Sequence, residues 1–116
     1  MEIQTQIPIH ALSVNKAFQG RRFKTNLYKC YEQETLILLP KKEMVTGWVE
    51  VWYTFGMTAK TFGISDTGNM EKLLSDIIVR KGYIEDDRKI LKMHLEKVQS
   101  AVHYVIIKIC QTKLSN

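Results

Sequence analysis

The chain is poor in cysteine and proline, with two of each among its 116 residues. Cys30 and Cys110 make neither a disulfide framework nor a metal-binding set, and they are expected to be core or helix-face thiols. Reduced thiols of a cytoplasmic protein are the default expectation. There is no Pro/Gly-rich linker, no repeat and no low-complexity tract, so residues 1–116 are expected to form a single domain. No apolar run approaches the ~20 residues that a membrane span needs. The longest is Leu36 to Leu39. The opening stretch MEIQTQIPIH has neither the basic nor the apolar region of a signal peptide. No P-loop, no GxGxxG and no serine or cysteine nucleophile motif is present, which removes the nucleotide-binding and covalent-hydrolase classes those motifs define. His10, His94 and His103 are scattered without ligand spacing and read as ordinary surface or strand histidines.

What is present is the composition of a globular domain, 45% hydrophobic and 25% charged. A chain of this size buries ~65% of its unfolded surface, enough for one core without staples. Seventeen basic residues against twelve acidic ones give a net charge of +5. From His10 to Tyr31 there are five cations, Lys16, Arg21, Arg22, Lys24 and Lys29, and no acid. After Glu96 there are three more lysines and again no acid. Asp66, Glu71, Asp76, Glu85, Asp86 and Asp87 crowd between these flanks. Basic flanks around an acidic middle suit a metal-dependent enzyme acting on a polyanion, and equally a solvated mixed-charge surface.

The periodicity predicts an α+β domain, a mixed β-sheet with helices packed on it, in the order β-α-β-α-β-β. Glu2 to Ile9 alternates as a half-buried strand, and Pro8 near its end marks an edge or exit position. His10 to Lys24 has no sustained period and reads as a long loop holding the basic cluster. Thr25 or Asn26 caps a helix running to about Leu39, stopped by Pro40. Gly47 to Phe55 is rich in β-formers, and Gly56 to Thr67 reads as a loop carrying Lys60. Met70, Leu73, Leu74, Ile77 and Ile78 share one face of a helix that starts near Asn69, with Gly82 at its C-terminal cap. Lys89 to Val98 reads as a strand, and Ser100 turns the chain. Val102 to Cys110 is apolar on both faces in its centre, which predicts a strand covered on both sides.

The carboxylates carry the chemical interest. Asp66 precedes the helix near Asn69, and Asp86 and Asp87 follow its far end. A helix of roughly 13 residues is ~20 Å long, so the two ends meet only if the chain folds back after Gly82. Brought together, Asp66 and Asp87 would offer hard oxygen ligands suited to Mg²⁺ or Mn²⁺. Such a metal polarises a phosphodiester and activates water. Lys72, in the early turns of the helix, would then neutralise charge on the phosphate. The plainer alternative makes Asp66 a helix cap and Asp86-Asp87 a solvated turn.

The run Asp66-Thr67-Gly68-Asn69-Met70-Glu71-Lys72, then Asp76, then Gly82-Tyr83-Ile84-Glu85-Asp86-Asp87 resembles the signature of the RusA family of Holliday-junction resolvases. That signature is D-x-D-N-x-x-K, an acidic residue four further on, then G-x-x-x-D-D. Ser13-Val14-Asn15-Lys16, Arg21-Arg22-Phe23 and Tyr28 resemble the family's S-x-N segment, basic loop and following helix. The resemblance implies a homodimeric, Mg²⁺-dependent endonuclease, with Mn²⁺ able to substitute. Such an enzyme is bacterial or phage-encoded, binds four-way DNA junctions by shape and nicks two opposed strands. It implies catalytic roles for Asp66, Lys72 and Asp87, and metal ligation by Asp66 and Asp87 accompanied by Asp86. Lys16, Arg21, Arg22, Lys24 and Lys60 are the cations expected against DNA. The chain departs from the pattern at Gly68, where the family carries its second Asp, and at Ser65, where a basic residue is common. A protein that binds junctions without cutting them is the alternative this departure opens.

Overall fold

The computed structural model of the protein describes residues 1–13, 16–19 and 23–114. Its frame is a four-stranded mixed sheet in the order β1-β6-β4-β5. Strand β1 (Glu2–Ile7) pairs antiparallel with β6 (Tyr104–Gln111), which pairs antiparallel with β4 (Val49–Met57). Strand β4 runs parallel to β5 (Ile90–Gln99), the second edge. The N-terminal strand therefore lies at an edge, as Pro8 just beyond it requires, because proline has no N–H for a second ladder.

Alternation sets the two faces of the sheet. Val49, Val51, Tyr53, Phe55 and Met57 of β4 point one way and are buried, as are Val105, Ile107 and Ile109 of β6. Helix α3 (Thr67–Lys81) packs on this face through Met70, Leu73, Leu74, Ile77 and Ile78. Helix α1 (Asn26–Leu38) adds Tyr28 and Tyr31. Thr25 caps α1 by accepting from the Tyr28 N–H, and Pro40 follows its end. Among the described residues, no helix covers the other sheet face. Its Tyr104, Ile106, Lys108 and Cys110 are only half-buried, so β6 is covered on one side and not on both as its composition predicts. Long side chains shelter that face instead: His94 stacks on Trp52 at 4.9 Å, and the Lys108 ammonium lies 4.8 Å from the Trp52 ring centre.

Two expected loops contain short elements. The segment from His10 to Lys24 includes a two-stranded ribbon, β2 (Phe18–Gln19) with β3 (Phe23–Lys24). The segment from Gly56 to Thr67 includes α2 (Ala59–Phe62), one turn long. Helix α3 begins at Thr67, two residues before the expected start, because Asp66 already caps it. Gly82 ends α3 in the left-handed region at φ 85°, where a Cβ would be strained, and the Tyr83 N–H closes back on the Ile78 carbonyl at 2.9 Å.

Candidate active site

The left-handed turn at Gly82 decides where the acidic segment goes. Tyr83 and Ile84 drop into the core, and Ile84 bridges to Val45. Glu85 accepts a hydrogen bond from the Gly47 N–H. Asp86 caps a single 3-10 turn, Asp87–Lys89, by accepting from the Arg88 N–H at 2.9 Å. The chain has by then folded back along α3. Asp87 Oδ2 meets the Lys72 ammonium at 3.3 Å, and Asp76 Oδ1 lies 3.7 Å from the same nitrogen. Asp76, with Asp87 second, raises the pKa of Lys72, so its positive charge is secure.

Lys72 and Asp87 line an open cavity of about 280 Å³, together with Glu71 and Ser75. Glu71 and Ser75 are themselves fixed in a chain. The Tyr53 hydroxyl, fully buried on β4, is 3.0 Å from Ser75 Oγ, which donates to Glu71 Oε2 at 3.1 Å. Neither Ser75 nor Tyr53 stood out in the sequence beyond helical and strand periodicity. Their hydroxyls are inward-facing polar groups that have to find each other.

Asp66 is placed differently. Its Oδ1 accepts from the Gly68 N–H at 2.9 Å, and its side chain opens on a second, larger groove between α1 and the start of α3. Asp86 is committed to Arg88, whose backbone and guanidinium hold its carboxyl far below the usual range. Among the described residues, no three of His, Cys, Asp and Glu gather as a metal set. The fold thus joins Lys72 to Asp87 and leaves Asp66 facing the neighbouring groove.

Of the expected DNA contacts, Lys16 and Lys60 are exposed, Lys16 on the rim of the Asp66 groove and Lys60 on α2. Lys24 is ion-paired with Glu32 at 3.2 Å and leans on the Tyr28 ring. Arg21 and Arg22 lie outside the described residues. A lysine without an assigned role in the sequence, Lys97, supports the site: from a core-facing position of β5 it donates to the carbonyls of Phe62 at 2.7 Å and Ser65 at 3.0 Å, pinning the residue before Asp66. A cation breaking the apolar side of β5 was its only signal.

The family model described as Endodeoxyribonuclease RusA matches residues 12–110, nearly the whole span from the start of the basic segment to the end of β6. The chain belongs to the RusA family. No curated protein matches it by sequence. RusA membership makes the expected class an endodeoxyribonuclease that resolves Holliday junctions.

Proposed function

We propose that this RusA-family chain acts as a homodimer and resolves four-way DNA junctions by paired symmetric nicks, using Mg²⁺ or Mn²⁺. The observation that carries the proposal is the return turn that sets Asp87 against Lys72 on α3. Asp87 would hold the ion beside Lys72, and Asp66, which lines the neighbouring groove, would have to turn toward it to add the second carboxylate that the family resemblance implies; the ion would polarise the scissile phosphodiester and activate water. The oxygen donors suit Mg²⁺, which is commonly bound by one or two carboxylates, several waters and the substrate phosphates. A chain with Gly68 in place of a third carboxylate fits that substrate-completed kind of site. Lys72 neutralises charge building on the phosphate oxygens, and Asp76 and Asp87 hold it in place. Asp86, tied to Arg88, fixes the turn that presents Asp87. Lys16, Lys60, Arg21 and Arg22 contact DNA backbone, which junctions of any sequence share. The substrate places the protein with chromosomal or phage DNA in a bacterial cytoplasm.

A second reading has one observation in its favour: no metal set of three side chains forms among the described residues. On that reading the chain binds junctions and does not cut them. A synthetic four-way junction labelled on one strand, incubated across a Mg²⁺ and Mn²⁺ titration, separates the two. Symmetric nicks that need the metal support the resolvase. Tight junction binding without nicks at any metal concentration selects the binder. Equal affinity for junction and linear duplex at several salt concentrations removes both.

A further inference from the structure

We propose that the groove between α1, the 8–13 segment and the start of α3 is a nucleobase pocket, which takes one unstacked base from the branch point of the DNA substrate. The proposal rests on reading the chain as a protein that acts on DNA junctions. The groove holds about 710 Å³, and its walls include Ile9, Ala11, Leu27 and Met70. A concave, mostly apolar space of that order with a few convergent polar groups is what small planar ligands occupy.

The second observation is a hydroxyl without a partner. Tyr31 lines this groove, its residue is only 6% exposed, and its hydroxyl makes no hydrogen bond among the described residues. The Leu12 backbone and Thr35 lie near it, and Thr35 gives its only hydroxyl hydrogen to the Tyr31 carbonyl at 2.6 Å, so it has none to donate to the Tyr31 oxygen. Burial pushes the Tyr31 pKa upward, so the group stays a neutral donor and acceptor. Buried polar groups are nearly always paired, and an orphan of this kind is a group that a ligand completes. The edge of a base offers both donors and acceptors to it.

The rim ties the pocket to the substrate. Asp66, Asn69, Lys16 and His10 border the groove. A base seated among the apolar walls leaves its own phosphate at that rim, where Lys16 supplies positive charge and Asp66 stands at the signature position. The reverse arrangement, phosphate inside and base outside, would strip an anion of water against aliphatic side chains. A base inside a duplex cannot reach a concave pocket. A base at the branch point, where stacking is interrupted, leaves the stack at the least cost.

The test uses junctions carrying 2-aminopurine singly at each position flanking the branch point, titrated to saturation with the 116-residue chain. The expected result is a several-fold rise in fluorescence at one position on each of two opposed strands. Cys30→Trp, on the exposed face of α1 that lines the groove, should fill the space and abolish the rise, while its circular dichroism and melting curve report folding. Ile37→Ser, on α1 and away from the groove, should keep the full rise. Tyr31→Phe should retain a rise but lose discrimination among the four natural bases placed there. Saturable junction binding with flat fluorescence at every position overturns the pocket and leaves the junction-binding reading intact. A rise that survives in folded Cys30→Trp also overturns it, because the base then goes elsewhere. Failure to bind junctions in preference to duplex overturns the underlying reading itself.

Discussion

Gly68 is the residue at which the proposed activity is most directly tested. The resemblance to the RusA signature implies a carboxylate at this position, but not whether the backbone here needs a glycine. The structure answers that: only Gly47 and Gly82 have positive φ among the described residues, so Gly68 has ordinary helical freedom and accepts a side chain. A Cβ at this position meets Asp66 Oδ1 at 3.3 Å, so a small adjustment of one exposed carboxylate suffices. Gly68→Asp should therefore fold, keep its N–H bond to Asp66 and place a third carboxylate beside the first. Near a helix N-terminus the added negative charge is tolerated. Mg²⁺-dependent nicking should rise by about tenfold or more, an effect on the order of one added ligand's stabilisation of the transition state. Combining it with Asp87→Asn should abolish nicking. A folded, junction-binding Gly68→Asp protein that shows no metal-dependent nicks would sink the resolvase reading. Sequence spacing also could not reveal that Asp86 is spent on Arg88 while Asp87 is turned to Lys72, because both sit in one run of three acids.

At the scale of the element, α3 was legible because one apolar stripe, a capping aspartate and a terminal glycine agree with one another. Strand β5 was harder to read, since Lys97 occupies a core-facing register opposite Phe55 and reaches across to hold the turn before Asp66. The ribbon β2–β3 and the single turn α2 are too short to leave a period. Asp66 is a helix cap in the fold and a carboxylate of the proposed site, and the two roles can be separated. Asn caps a helix about as well as Asp, whereas Ala costs about 0.5–2 kcal/mol. Asp66→Asn should melt within a degree or two of the parent and lose nicking, and Asp66→Ala should lose both stability and nicking. Equal nicking by Asp66→Asn would show that the carboxylate is structural. A second element-level prediction concerns the α1–α3 contact. Burial alone would raise the Glu32 carboxyl, but Arg80 at 2.6 Å and Lys24 at 3.2 Å together hold it below its ordinary value of 4.5. A carboxylate with a lowered folded pKa contributes stability that is complete above the unfolded value and is lost as pH falls through the folded one. Thermal melts should therefore decline below about pH 4.5, and Glu32→Gln should be less stable at pH 7 but lose less on acidification. Parallel pH curves for the two proteins would remove Glu32 from the account.

For the whole molecule, net charge was legible and its deployment was not. The sequence counts Lys24 with the basic loop, yet in the fold Glu32 neutralises it. Arg21→Ala with Arg22→Ala should flatten the salt dependence of junction binding by about two units, and Lys24→Ala by less than one. Equal slopes for the parent and the double variant would exclude the loop as a backbone contact. On the proposed function, the expected assembly state follows from symmetry. Two opposed nicks need two sites, one 116-residue chain carries one signature, and a two-fold dimer is the simplest closed arrangement. The apolar residues of the strands Val49 to Phe55 and Val102 to Cys110 are largely used within the chain: Val49, Val51, Tyr53, Phe55, Val105, Ile107 and Ile109 are buried under α3 and its neighbours. What remains of those strands for a second copy is the outer sheet face, with Trp52 and Ile106 half-buried among Glu50, His94 and Lys108. Both signs of charge on one face suit an isologous contact, in which each residue meets its counterpart's neighbours. Sedimentation at micromolar concentration should give twice the 13.5 kDa chain mass. Trp52→Glu should shift the mass toward monomer without changing the far-ultraviolet spectrum, since the ring is not part of the buried core. The same variant should bind a junction more weakly and produce single unpaired nicks. A parent protein that sediments as a monomer would remove the dimer. A Trp52→Glu protein that remains a dimer would move the interface off the sheet.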